Sequence, residues 1–209
     1  VIISEFSAAN YSLGVAGDNE DFVEFFNLGP TEVDLGGYFL SDNPDNPDMF
    51  EIPNGTTIAS GGYLIIMCSN EGEVPELLYT GGYLNTNFKV TQTIGESIVF
   101  SDADGNILES YTFGVDWTPN QADHSWVRNV DGTSTWKLCT NPTPGGDVDV
   151  VNPGMYDDYA PTPQFQEESG FYAAGLDVTI TAPAGYDIRY TTNGYAPDEN
   201  DPLYTGPIA

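Results

Sequence analysis

Two short acid-rich runs are the residues best equipped for chemistry. Asp18, Glu20 and Asp21 crowd into Gly17-Asp18-Asn19-Glu20-Asp21, immediately ahead of an apolar strand, and Asp42, Asp45 and Asp48 recur every third residue in Asp42-Asn43-Pro44-Asp45-Asn46-Pro47-Asp48. Carboxylate and amide oxygens at that density suit a hard cation, calcium first, although the spacing is not that of an EF-hand loop. A solvated polar turn has the same composition. If the two loops meet at one end of the fold, their acids can share one ion. Asp198-Glu199-Asn200-Asp201 is a third such run, again either a calcium loop or a solvated tip.

Other groups invite a chemical reading and find a simpler one. His124 resembles a general base, but no serine, cysteine or carboxylate stands near it in a spacing that implies a partner, so it reads as structural. Cys68 and Cys139 are the only cysteines. They are either one disulfide or two buried thiols. Trp117, Trp126 and Trp136 suit a sugar platform or, more ordinarily in an all-β module, the plug of a core. Glu24 lies between Phe22 and Phe26 on one face of a strand, where a carboxylate costs free energy unless it meets donors or a cation. The ordinary expectation is a rim position with the carboxylate in water; the alternatives are a bound ion or a capped loop.

Thirty-two acids against four bases give a formal charge of −28 over 209 residues. Nucleic acid and anionic membranes are therefore poor partners, and cations are the natural counterpart. No apolar run reaches the roughly 18 residues that span a bilayer. The first residue, Val1, opens directly into a strand, which fits removal of an export signal. At 40% hydrophobic and 13% aromatic the chain can bury one good core and a smaller second one.

These groups must be positioned by strands, because proline, glycine, asparagine and β-branched residues interrupt every candidate helical window. Phe22-Val23-Glu24-Phe25-Phe26 is apolar on both sides of the alternation and reads as a central strand. Residues 1–9 read as an edge or first strand with Ile3 and Phe6 in the core and Glu5 displayed beside them. Gly62 to Cys68 reads as an inner strand, and Asp104-Gly105 closes a hairpin onto Ile107 to Phe113. Residues 70–83 read as a glycine-rich acidic excursion. The class is all-β: roughly ten strands in about 145 residues, arranged as an immunoglobulin-like sandwich. Residues 147–162 are acidic and proline-bearing without a strand pattern, which marks a linker, and residues 163–209 form a second small β module.

Six blocks in order carry a resemblance. They are Phe22 to Asn27, Val33 to Asp42, Ile52 to Leu64, Gly95 to Asp102 with Asp104-Gly105, Ser125 to Arg128 with Asp131-Gly132, and Pro142 to Gly145. Residues 1 to about 146 thereby resemble the lamin tail domain, in its bacterial exported branch. Residues 163–209, through Leu176 to Pro183, Tyr186 to Gly194 and Pro202 to Ile208, resemble the C-terminal module of chitobiase and hexosaminidase-like proteins, in truncated form. The resemblance implies an immunoglobulin-like sandwich without catalytic residues of its own, followed by an incomplete β-sandwich. The resulting expectation is a non-catalytic, extracellular structural or adhesive module of a bacterial surface protein, working through a protein partner or self-assembly. The second reading is a carbohydrate-binding or accessory region that positions a catalytic domain elsewhere in a longer polypeptide.

Overall fold

The computed structural model describes residues 1–12, 14, 19–75, 78–80, 82–92, 96–113, 121–128, 136–146, 155–156, 159–173 and 175–208. The chain divides into two compact units, Val1–Asp158 and Tyr159–Ala209. Every regular element among the described residues is a strand, and the class is all-β as the turn chemistry requires.

In the first unit the strands are β1 (Ile2–Ser7), β2 (Phe22–Phe26), β3 (Val33–Asp34), β4 (Phe39–Ser41), β5 (Phe50–Glu51), β6 (Thr57–Ile58), β7 (Tyr63–Met67), β8 (Tyr79–Thr80), β9 (Tyr83–Asn85), β10 (Glu96–Ser101), β11 (Ile107–Phe113), β12 (Ser125–Arg128), β13 (Trp136–Cys139) and β14 (Met155–Tyr156). One sheet runs β14-β13-β12-β1-β2-β7-β9-β8 and the other β11-β10-β4-β5, with β3 and β6 paired separately. Aromatic rings join the two sheets. Phe6 on β1 meets Phe113 on β11 at 4.9 Å between centroids, and Phe25 on β2 meets Phe100 on β10 at 4.8 Å. Ring pairs at this separation add to the area they bury.

A register shift on β1 shapes everything that follows. Ile3 pairs with Phe25, Phe6 with Val23, and the extra residue falls between Ile3 and Glu5. Residues three apart would ordinarily face opposite sides; the bulge lets Ile3 and Phe6 both enter the core. It also sets Glu5 directly opposite Glu24 on the outer face of the eight-stranded sheet.

Three sequence expectations are corrected here. The first strand is not an edge: β1 lies between β12 and β2. The 70–83 excursion ends in the pair β8–β9, which joins the main sheet through a parallel contact of β9 with β7. Within residues 147–162, Met155–Tyr156 pairs antiparallel with β13, a strand the sequence did not show because two residues print no alternation.

The second unit is sparser. β15 (Gln164–Phe165) pairs with β16 (Ile180–Thr181), and single bridges join Val178 to Ile208 and Arg189 to Leu203. Ile180 is its buried apolar residue among those described. Tyr190 and Tyr204 meet edge-on, and the Tyr204 hydroxyl accepts the Ile180 amide at 3.1 Å.

Candidate functional site

Of the acids that suggested calcium, Glu20, Asp21, Asp42, Asp45 and Asp48 are described in the first unit. Asp21 directly precedes β2; its Oδ1 accepts the Asn10 amide at 2.9 Å, and its own carbonyl accepts the Cys68 amide at 2.7 Å. Burial, with a smaller push from Glu20, raises its carboxyl to about 6 against the pull of the Asn10 amide and Lys89. Glu20 pairs with Lys89 at 3.0 Å on the surface. Asp42 is half-buried and raised by desolvation and then by Glu96. Asp45 and Asp48 are exposed, and the Asp45 amide donates to Asn43. Asp18 lies outside the described residues. Desolvation lifts the buried Cys68 thiol well above its ordinary value, and the charges of Asp21, Asp42 and Glu20 add to that. Beside them is a polar cleft of about 290 Å³ lined by Asn10, Tyr11, Asn19, Asp21, Lys89 and Gln92 among others. Among the described residues no group of three or more His, Cys, Asp or Glu side chains is placed to hold a metal ion. In the second unit the acids of the 198–201 run bond within the turn, Asp198 accepting the Asn200 amide and Asp201 the Asp198 amide.

The most constrained chemistry sits on the outer face of the eight-stranded sheet, where Glu5 and Glu24 are both fully buried. This corrects two expectations at once, the displayed Glu5 and the rim-exposed Glu24. Burial is possible because the Thr143–Gly145 turn covers the pair and feeds it donors. The Glu5 carboxylate accepts the Ser125 hydroxyl at 2.6 Å, the Thr143 amide at 3.1 and 3.2 Å to its two oxygens, and the Thr143 hydroxyl at 3.2 Å. Glu24 accepts the Ser4 hydroxyl at 2.7 Å on one oxygen and the Gly145 amide on the other. Of the three readings of Glu24, the capped loop is the one the geometry realises. These donors are neutral, so the cost of burial is not cancelled by a cation. Desolvation raises both carboxyls, Glu24 to about 7, where the charge of Glu5 adds to the effect. Glu24 was legible as an anomaly between two phenylalanines. Its partner was not, because pairing Glu5 with Glu24 needs the bulge.

The remaining candidates resolve as framework. His124 gives its carbonyl to the Ser7 hydroxyl at 2.8 Å, and burial lowers its ring while Asp123 opposes that. Asp123, at φ 60°, accepts the Tyr11 and Ser12 amides at 2.8 Å each and so ties two loops. Trp126 is buried, and Trp136 packs on Phe6 and Tyr111 at 5.2 and 4.9 Å. Trp126 is core and Trp136 is half-buried; Trp117 lies outside the described residues. Cys68 and Cys139 are free and buried. They sit at β7 and β13, with β12, β1 and β2 between, so roughly 19 Å of sheet at about 4.8 Å per strand separates them. A disulfide needs Cα atoms within about 7 Å.

The Lamin Tail Domain family model matches residues 1–114. The chain belongs to the lamin tail domain family. The Chitobiase/beta-hexosaminidase C-terminal domain model matches residues 167–209. No curated protein and no solved structure matches the chain significantly. Both families are of the immunoglobulin-like, non-catalytic type. The matched part of this lamin tail domain ends after β11, yet β12, β13 and the Thr143–Gly145 turn complete its large sheet and seal Glu5 and Glu24. No helix among the described residues is long and apolar enough to cross a membrane.

Proposed function

We propose that this lamin tail domain and its companion module form a non-catalytic, exported structural or adhesive part of a bacterial surface protein, acting through protein–protein assembly. The observation that carries this reading is where the aromatic surface lies. In the first unit Trp126 is buried and Trp136 is half-buried against Phe6, which favours a packing role for both over a sugar platform. The second unit instead exposes Phe165, Phe171, Tyr195 and Leu203, and Phe165 lines an apolar cavity of about 310 Å³ with Ile180, Ile188 and Pro197. Exposed apolar groups gathered on so small a unit favour a protein contact. The two-stranded sheet β15–β16 has room for strand addition at its edges, and a second copy supplies a strand of the same kind.

Export is part of the same proposal and rests on the acidic surface and the company of a chitobiase-type module. Sedimentation velocity on the whole chain and on Phe165→Asp tests assembly. Self-association that rises with protein concentration and disappears in the variant is expected. The carbohydrate reading would be favoured instead by glycan binding that Phe165→Ala abolishes while the chain stays monomeric.

A further inference from the structure

Glu5 and Glu24 hold a turn with no role assigned to it. They stand directly opposite each other on adjacent antiparallel strands, where Cα atoms are about 5 Å apart. Both are sealed from water, and both grip one segment: Thr143 through its amide and hydroxyl on Glu5, Gly145 through its amide on Glu24. Two like charges so placed repel in a medium that screens them poorly. If the turn lifts, water reaches both carboxylates and relieves the repulsion. With one proton on the pair, the turn stays down and its two amides remain satisfied.

We propose that the Glu5–Glu24 pair is a proton-operated latch: one proton held by the pair keeps the Thr143–Gly145 turn fastened to the sheet, and loss of that proton releases it. The groups that face the pair come from β12, β13, β7 and the turn. On β12, Ser125 donates to Glu5 and Val127 stands opposite it. On β13, Lys137 stands opposite Val127 one strand further out and Cys139 stands opposite Ser125, its thiol donating to the Asn141 carbonyl at 3.1 Å. On β7, Ile65 faces Glu24 and Tyr63 faces Phe26, one row away. His124 precedes Ser125, and its carbonyl accepts the Ser7 hydroxyl. The described turn contributes amides and a hydroxyl. Lys89 and Arg128 engage other carboxylates, Glu20 and Glu109. The raised carboxyls of both residues agree with a proton being held near neutrality.

The test is amide hydrogen exchange on the whole chain, corrected for the intrinsic pH dependence of exchange, at the Thr143 and Gly145 amides. A latch that opens on losing one proton predicts that their protection falls by about tenfold between about pH 5.5 and 7, while amides of β10 such as Val99 hold steady. Glu24→Gln keeps the shape of the protonated side chain and removes the charge, so protection at both amides is expected to become independent of pH. Glu5, His124 and Asp21 remain in that variant; under the proposal Glu5 beside a neutral amide no longer changes charge with the turn, so any titration that persists at the two amides overturns it. Protection of Thr143 and Gly145 in the unmodified chain that stays constant across the range, or falls only in step with Val99, overturns it too. Those measurements need no variant, so the latch stays testable even if Glu24→Gln fails to fold.

Discussion

At the scale of single residues, the acids do most of the distinctive work, and they do it by being buried. Asp21 and Glu24 are raised to about 6 and about 7. The folded chain therefore holds protons that the unfolded chain has lost. For a carboxyl raised in this way the stabilisation is complete below its unfolded value, near 4, and is lost as pH rises through the folded value. The melting temperature is expected to fall between about pH 5 and pH 8, and Glu24→Gln is expected to flatten much of that slope; a melting temperature that rises over this range would contradict the assignment. The thiols make a second case. Buried and far apart, Cys68 and Cys139 should resist alkylation in the native chain, react fully once it is denatured, and leave the intact mass unchanged by reductant. Calcium is decided by a third measurement. If Glu20, Asp21 and Asp42 share an ion across their loops, calcium raises the melting temperature above that in sodium chloride of equal ionic strength, by mass action. Superimposed curves would remove calcium from the account.

At the scale of elements, the strands carrying long apolar runs were legible in the sequence and those defined by partners were not. Phe22–Phe26, Tyr63–Met67 and the Asp104-Gly105 hairpin printed their own alternation or turn chemistry. Gly105 takes φ +81° there, which only glycine adopts without strain, and Asp102 accepts the Asp104 amide at 3.0 Å and the Asn106 amide at 2.8 Å. By contrast β8, β9 and β14 have two or three residues each and exist because a longer strand offers them an edge. The candidate site divides the same way. Glu24 stood out between two phenylalanines, whereas Glu5 and the Thr143–Gly145 turn are brought to it by a bulge and by a strand pairing over 120 residues distant in sequence. Gly72 is another place where partners decide: a Cβ built there would stand 2.2 Å from the Asn85 carbonyl oxygen, beside the point where β9 joins the sheet. Gly72→Ala is expected to cost on the order of 1–3 kcal/mol through that overlap, read as a shift of the denaturation midpoint without change of slope. Arg128 joins the two sheets, meeting Glu109 at 3.1 Å and lying 4.7 Å over the Trp136 ring. Arg128→Ala should cost about 1–2 kcal/mol, because the half-buried Glu109 loses its cation and Trp136 its stacked guanidinium while the Ile3 amide still reaches Glu109.

At the scale of the whole molecule, a charge of −28 opposes any contact between copies, while the exposed Phe165, Phe171, Tyr195 and Leu203 favour one. Salt decides between them. Screening shortens the reach of the repulsion to about 10 Å at 0.1 M and leaves apolar burial intact, so assembly through the second unit should strengthen as salt is added, opposite to an interface built on ion pairs. The central claim is that this chain is a non-catalytic assembly module whose contact surface is the apolar face around Phe165. Sedimentation velocity of the whole chain across protein concentration, at low and at moderate salt, tests it most directly with Phe165→Asp as the comparison. The account predicts association that grows with concentration and with salt and is lost in the variant; a single monomeric boundary for the unmodified chain under every condition would contradict it.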